Sequence, residues 1–179
     1  LLEGRVVNGC IKIYRRAYAT MTDGSPVTKK PKTIWLDKDI QTEKGQAALD
    51  TMFPNRPFRS PKAPALLEKA IVLSPSDQPF VLDFFAGSGT MAQAIINLNR
   101  HSDRQRKYLL VEQSNYFDTV LKPRIQKVIY AADWKNGQPV QGSAGSSHAF
   151  QYLRLESYED TLDNLDLDTR TAVPQGLFL

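Results

Sequence analysis

One short stretch gathers residues whose types and spacing could do chemistry together: Asp83, the glycines Gly87 and Gly89, the hydroxyls of Ser88 and Thr90, and Glu112 further on. A glycine turn between a strand and a helix lets backbone approach a ligand where side chains would collide. A carboxylate at the end of the following strand can accept hydrogen bonds from both hydroxyls of a ribose. Together they describe a nucleotide-type cofactor pocket. The spacing Gly87-x-Gly89-x-x-Ala92, with Glu112 twenty residues beyond Ala92, also fits the dinucleotide fingerprint. The pattern therefore leaves NAD and S-adenosylmethionine to be weighed.

Asp83 separates them. NAD brings a pyrophosphate to the helix N-terminus, where free N–H groups and the helix dipole favour it. A carboxylate four residues before Gly87 would repel that group. S-adenosylmethionine carries a cationic sulfonium and an ammonium, which a carboxylate attracts. Phe84 and Phe85 flank the turn, and an aromatic face attracts a sulfonium by about 0.5–2 kcal/mol. Simple core packing is the competing expectation for them, and it should hold for at least one.

These residues need elements to position them. Phe80–Phe85 reads as an apolar strand of the buried, parallel-sheet type. Ala86–Gly89 is a tight turn. Thr90–Asn99 is a helix with Met91, Ala94, Ile95 and Leu98 at helical spacing, Arg100–Lys107 a basic loop, and Lys107–Glu112 a second strand. This is a βαβ unit. Upstream, Val6–Tyr14 is strand-like, residues 21–33 form an exposed loop, and Thr42–Met52 favours a helix. The prolines between Phe53 and Pro64 impose extended chain. Ala63–Leu73 is a helix with Leu66, Leu67, Ala70 and Ile71 on one side, broken by Ser74–Pro79. Downstream, Phe117, Val120, Leu121, Ile125, Val128 and Ile129 keep helical spacing, with a kink or restart at Pro123. Trp134–Pro139 is a turn, Gly142–Ser147 a flexible loop, Phe150–Leu155 a strand, and Ser157–Leu165 a helix with Asp160 where a capping box places its acid.

The bulk composition agrees with an ordinary folded chain: 179 residues, 41% hydrophobic and 23% charged, with net charge +4. No apolar run reaches the roughly 20 residues of a membrane helix. The single cysteine, Cys10, forms no internal disulfide and is expected to be a small buried residue. Residues 1–62 hold twelve Lys or Arg against six Asp or Glu, a basic half compatible with DNA. The acids from Glu156 to Asp168 read as a solvated face. His101 in its basic loop should face solvent and His148 should cap or pack. No metal-ligand spacing is present.

Asp83-Phe-Phe-Ala-Gly-Ser-Gly-Thr90 resembles the S-adenosylmethionine motif of amino-DNA methyltransferases. Phe58-Arg-Ser-Pro-Lys62, followed by Leu66-Leu-Glu-Lys69, is similar to the segment preceding that motif in the subgroup with permuted (beta-type) motif order. Tyr108–Glu112 is similar to the strand that supplies the ribose-binding acid. Tyr116–Ile125, His148–Tyr152 and Leu155–Leu162 resemble the modification subunit of type III restriction–modification systems. The resemblance covers about residues 33 to 165. It implies a Rossmann-like methyltransferase sheet, incomplete in this chain, with flanking helices. It implies that Asp83, Gly87, Gly89 and Glu112 contact S-adenosylmethionine, with Phe85, Ser88 and Thr90 beside it. Phe58, Ser60 and Lys62 would form the wall at its methionine end, with Lys62 either meeting the carboxylate or standing as a plain surface charge.

Enzymes of that family flip the target base from the duplex. They hold its amino group with an (Asp/Asn/Ser)-Pro-Pro-(Tyr/Phe/Trp) tetrad, and the methyl passes directly from sulfonium to amine. Here eleven prolines occur and no two are adjacent. The chain also does not begin with Met. The expectation is the C-terminal part of a longer site-specific DNA adenine N6-methyltransferase, carrying no catalytic residue of its own. Residues 1–52 would be the end of the target-recognition region, 53–133 the cofactor-binding core, and 134–179 a C-terminal strand–helix extension. Expected partners are double-stranded DNA, touched through Arg5, Arg15, Arg16, Lys29, Lys30 and Lys32, a restriction subunit and a second modification subunit. No membrane or metal is implied, and the resemblance places the protein in a prokaryotic or phage-type cytoplasm. A non-catalytic assembly module is the competing reading, and a nicotinamide-linked oxidoreductase a weaker one.

Overall fold

The computed structural model describes residues 2–7, 10–15, 30–74, 76, 79–103 and 105–164, in two units divided between Lys38 and Asp39. In the first unit the strand-like run resolves into two strands. β1 (Leu2–Val7) and β2 (Cys10–Arg15) pair antiparallel, from Leu2 opposite Arg15 to Val7 opposite Cys10. Cys10 is exposed, contrary to expectation. A two-stranded ribbon has too few residues of its own to cover either face. Residues 30–33 are irregular and exposed, whereas residues 21–29 of the expected loop lie outside the described residues.

The second unit starts with α1 (Thr42–Met52), over the expected residues. Gly45 breaks helix propensity for a packing reason. A Cβ there would come within 2.1 Å of the Pro61 carbonyl oxygen, so only glycine lets the extended segment lie against the helix. Pro61 is fully buried by that approach. α2 (Pro64–Val72) follows, with proline in its first turn where a missing N–H costs nothing. Ile71 is buried and Leu67 packs beside it, but Ala70, expected on the same side, is exposed.

β3 (Phe80–Asp83), α3 (Thr90–Arg100) and β4 (Lys107–Leu110) form the expected parallel βαβ unit, with Phe80 opposite Lys107 and Asp83 opposite Leu110. α3 is its central element. Ala92 and Ile96 join a core with Leu49, Met52, Phe53, Val120, Leu121, Ile125 and Val128, whereas Ala94 and Ile95 join Ile71 in a second cluster. Tyr108 packs against both. The strands are not buried on both faces, as a fully parallel sheet would be. Among the described residues only two strands pair here, and period-two alternation puts Phe80, Leu82 and Phe84 on an open face.

A π-helical turn over Phe117–Leu121 leads into α4 (Lys122–Tyr130). Pro123 therefore marks a restart: it sits in the first α-helical turn, and the wider turn precedes it. A hairpin of β5 (Trp134–Lys135) and β6 (Gln138–Pro139) turns through Asn136 and Gly137, both at positive φ (49° and 78°). The Trp134 Nε1–H donates to the Lys127 and Ala131 carbonyls, covering the end of α4.

Two downstream expectations change. The Gly142–Ser147 loop is tied down, since Ser146 N–H donates to Ile129 O and Ala132 N–H to Ala144 O. Phe150–Leu155 is not a strand: it alternates but pairs with no described strand, and Leu155 is 85% exposed. Phe150 instead packs against the core and Tyr152 stands against Phe117 and Lys122. α5 (Tyr158–Asn164) begins with the expected capping box, in which Asp160 N–H donates to Ser157 Oγ (3.1 Å) and Ser157 N–H to Asp160 Oδ2 (3.4 Å).

Candidate cofactor site

The parallel register brings the two carboxylates together. Asp83 ends β3 and Glu112 lies just past β4, at the same edge of the pair. Val111 N–H donates to the Asp83 carbonyl (2.8 Å), and Ala86 N–H returns to Val111 O (3.1 Å). The chain leaving β3 thus folds over the end of β4. Gly87 N–H donates to Glu112 Oε2 (2.8 Å), and Ser114 N–H to Glu112 Oε1 (2.9 Å). Burial acts to raise the Glu112 carboxyl, but the bonds from Ser114, Gly87 and Gln113 outweigh it and hold it below the usual carboxylate range. Asp83 Oδ1 accepts from Phe85 N–H (3.0 Å), which fixes the first step of the turn.

The turn requires its glycines. Gly87 has φ +54° and Gly89, the N-cap of α3, φ +79°. That region suits glycine and penalises side chains. Phe58 lies over the turn, its Cζ 3.4 Å from where a Cβ on Gly87 would stand. The Phe58 ring meets Tyr116 edge-on, with centroids 5.0 Å apart. The extended segment expected at the cofactor wall is therefore joined to the glycine turn. Ser60 and Lys62 are exposed on the same segment, and Ser60 N–H bonds Gln46 Oε1 of α1 rather than the turn.

Four residues sit otherwise than their sequence context suggests. Phe84 and Phe85 are 62% and 88% exposed, so the expectation that at least one packs in the core is overturned. The strand ends at Asp83, which leaves Phe85 outside the β-ladder at the mouth of the turn. Ser88 and Thr90 are buried, and their hydroxyls lie 3.2 Å apart facing inward. What they face is Arg124, which sequence reading passed over. Its Nη1 donates to Ser88 Oγ (2.8 Å), Thr90 Oγ1 (2.9 Å) and Ser88 O (3.2 Å), and its Nε to Gln93 Oε1 (2.8 Å). Burial pulls this guanidinium down to about 9, so it stays charged at neutral pH. A signal was present: Arg124 lies four residues after Val120 and four before Val128, inside the apolar stripe of its helix.

His101 is exposed, as expected. His148 packs: its Nε2 pairs with Tyr108 Oη at 3.0 Å and the rings stack. Among the described residues no group of His, Cys, Asp and Glu could hold a metal ion, and no helix is long and apolar enough to cross a membrane. Of the basic residues expected to meet DNA, Lys30 and Lys32 are exposed. Arg16 and Lys29, and the side chains of Arg5 and Arg15, lie outside the described residues.

The StyLTI Mod subunit, a type III restriction–modification enzyme of Salmonella typhimurium, is 31% identical over 167 residues, covering 85% of this chain and 24% of that subunit. The EcoPI Mod subunit of Escherichia phage P1 is 32% identical over 90 residues, 50% of this chain and 14% of that subunit. The type II methyltransferase M.KpnI of Klebsiella pneumoniae is 34% identical over 86 residues, 48% of this chain and 21% of that enzyme. The chain spans about a quarter or less of the length of these relatives. The sequence pattern of the N6/N4 DNA methylases matches residues 11–122, which take in the glycine turn, both carboxylates and the Phe58 segment. With more than half of its length so matched, the chain belongs to the DNA methylase family.

Proposed function

We propose that this chain is the methyl-donor half of a DNA adenine N6-methyltransferase of the restriction–modification type, and that its glycine turn binds S-adenosylmethionine. One observation carries the reading: the Asp83 and Glu112 carboxylates stand at the ends of adjacent parallel strands, on either side of a positive-φ glycine turn. Two carboxylates suit a ligand with a sulfonium, an ammonium and a ribose, and oppose a pyrophosphate. Glu112 accepts backbone N–H bonds on both oxygens, and its remaining acceptor capacity suits ribose hydroxyls. Phe58 and the exposed Phe85 offer apolar and aromatic surface beside the turn. The amides that open α3 offer further donors. Ser60 and Lys62 belong to the methionine end of the site. When bound, the cofactor supplies an electrophilic methyl group.

The sheet is Rossmann-like in this reading, with residues 53–133 as the cofactor core, 1–52 as the end of a target-recognition region and 134–179 as an extension. The Pro-Pro tetrad that would hold the target base belongs to another part of a longer protein. In this reading DNA is the substrate, and a restriction subunit and a second modification subunit are the partners; the type III relatives are named as Mod subunits of restriction–modification enzymes. The assembly-module reading draws on the open face of Phe80, Leu82 and Leu109, which another protein surface could cover. Calorimetry with S-adenosylhomocysteine tests the assignment. Asp83→Ala is expected to weaken binding ten-fold or more, from losing a charged hydrogen-bonding group. Unchanged affinity in that variant, or NADH binding in place of S-adenosylhomocysteine, overturns it.

A further inference from the structure

Arg124 is fully buried, yet every group it bonds is neutral: the Ser88 hydroxyl and carbonyl, the Thr90 hydroxyl and the Gln93 amide. Its Nη2 has no hydrogen-bond partner. A cation taken out of water without a carboxylate partner opposes folding. It also lies beside the N-terminus of α3, whose partial positive charge opposes it further. Stability alone would place an apolar residue here, continuing the stripe of Val120, Leu121, Ile125 and Val128.

What the arginine achieves is geometric. Ser88 and Thr90 flank Gly89, and Gly87 precedes them. Both glycines hold positive φ, and glycine is the residue with the most alternative conformations to escape to. The first part of the turn is held by Gly87 N–H on Glu112 and by the Phe58 ring against Gly87. The following part is held by the planar fork of one guanidinium, whose single Nη1 gathers three acceptors from Ser88 and Thr90. The adjoining Leu121 carries the same segment against Gly89, with its Cγ 3.2 Å from where a Cβ would stand.

We infer that Arg124 is a positioning residue, which holds Gly87–Thr90 in the shape that receives the cofactor, at the expense of stability. This inference rests on the cofactor-site reading, so the test includes a readout that needs no ligand. Amide hydrogen exchange and melting temperature are measured on the 179-residue chain, with S-adenosylhomocysteine affinity in parallel. Arg124→Met is expected to keep or raise the melting temperature. The Gly87 and Gly89 amides are expected to exchange at least ten-fold faster while those of Ala94–Leu98 are unchanged, and affinity to fall at least ten-fold. A Ser88→Ala/Thr90→Val double variant, with Arg124 intact, is expected to loosen the same amides. Turn amides that exchange as in the parent in either variant overturn the inference. So does acceleration shared by all of α3, which is what general destabilisation produces. If the parent chain binds no S-adenosylhomocysteine, the cofactor reading fails while the exchange data still decide on Arg124.

Discussion

Glu112→Gln is the most informative single perturbation of this site. The carboxylate accepts from Gly87 at 2.8 Å on Oε2 and from Ser114 at 2.9 Å on Oε1. Glutamine is nearly isosteric, but it keeps one acceptor and turns the other into a donor that faces an N–H. One charge-assisted bond is lost, and such bonds contribute about 1.5–3 kcal/mol. The group is only partly buried, so water replaces some of the loss and the lower end applies. About 1.5 kcal/mol corresponds to a roughly ten-fold weaker dissociation constant. Calorimetry with S-adenosylhomocysteine at pH 7 should read that change, and Glu112→Asp, too short to reach Gly87, should be no better. The parent chain supplies an internal control. Glu112 is held below the usual carboxylate range, so its contribution is fully present above roughly pH 4.3 and is lost as pH falls through the lower folded value. Affinity equal to the parent in Glu112→Gln would refute the reasoning, because it would mean that the carboxylate neither shapes the turn nor touches the ligand.

Two further outcomes follow from the geometry. Alanine at Gly87 (φ +54°) meets the Phe58 ring at 3.4 Å, an ordinary contact, but must adopt a left-handed backbone, whereas alanine at Gly89 (φ +79°) also presses on Leu121 at 3.2 Å. Gly87→Ala should cost about 1–2 kcal/mol, a fall of roughly 2–8 °C in melting temperature for a chain of this size, and Gly89→Ala should fall further; a smaller effect at Gly89 would contradict the packing. Burial lowers His148, whose neutral Nε2 can accept from the Tyr108 hydroxyl. Below about pH 6.5 the unfolded chain takes up a proton that the folded one resists, so stability should fall between pH 7 and pH 5. His148→Phe should flatten that slope, and an unaltered slope in the variant would exclude His148 as its origin.

Much of the architecture was written in local pattern. α1, α2, the βαβ unit and the α5 capping box follow from helical spacing, proline placement and a serine three residues before an aspartate, all of which act within a few residues of chain. The glycine turn and its two carboxylates were equally legible, because a positive-φ turn at a strand end leaves few alternatives in residue type. Burial was less legible, because it depends on what else packs nearby. Phe84, Phe85 and the Phe150–Leu155 run have the composition of buried strand, yet they stand exposed or unpaired because, among the described residues, only two strands form this sheet.

The amino-acid sequence by itself determined that Asp83, Gly87, Gly89 and Glu112 meet at one edge of the fold, since a strand–turn–helix–strand order brings them there. Only the tertiary structure decided what packs against the turn between them. Phe58 covers Gly87 across 29 residues of chain, and Arg124 reaches Ser88 across 36. Neither contact leaves a periodic trace that names its partner. The stripe of α4 reveals that Arg124 is buried, but a buried arginine must find its acceptors in space, and here they are the hydroxyls that a linear reading had turned toward the ligand.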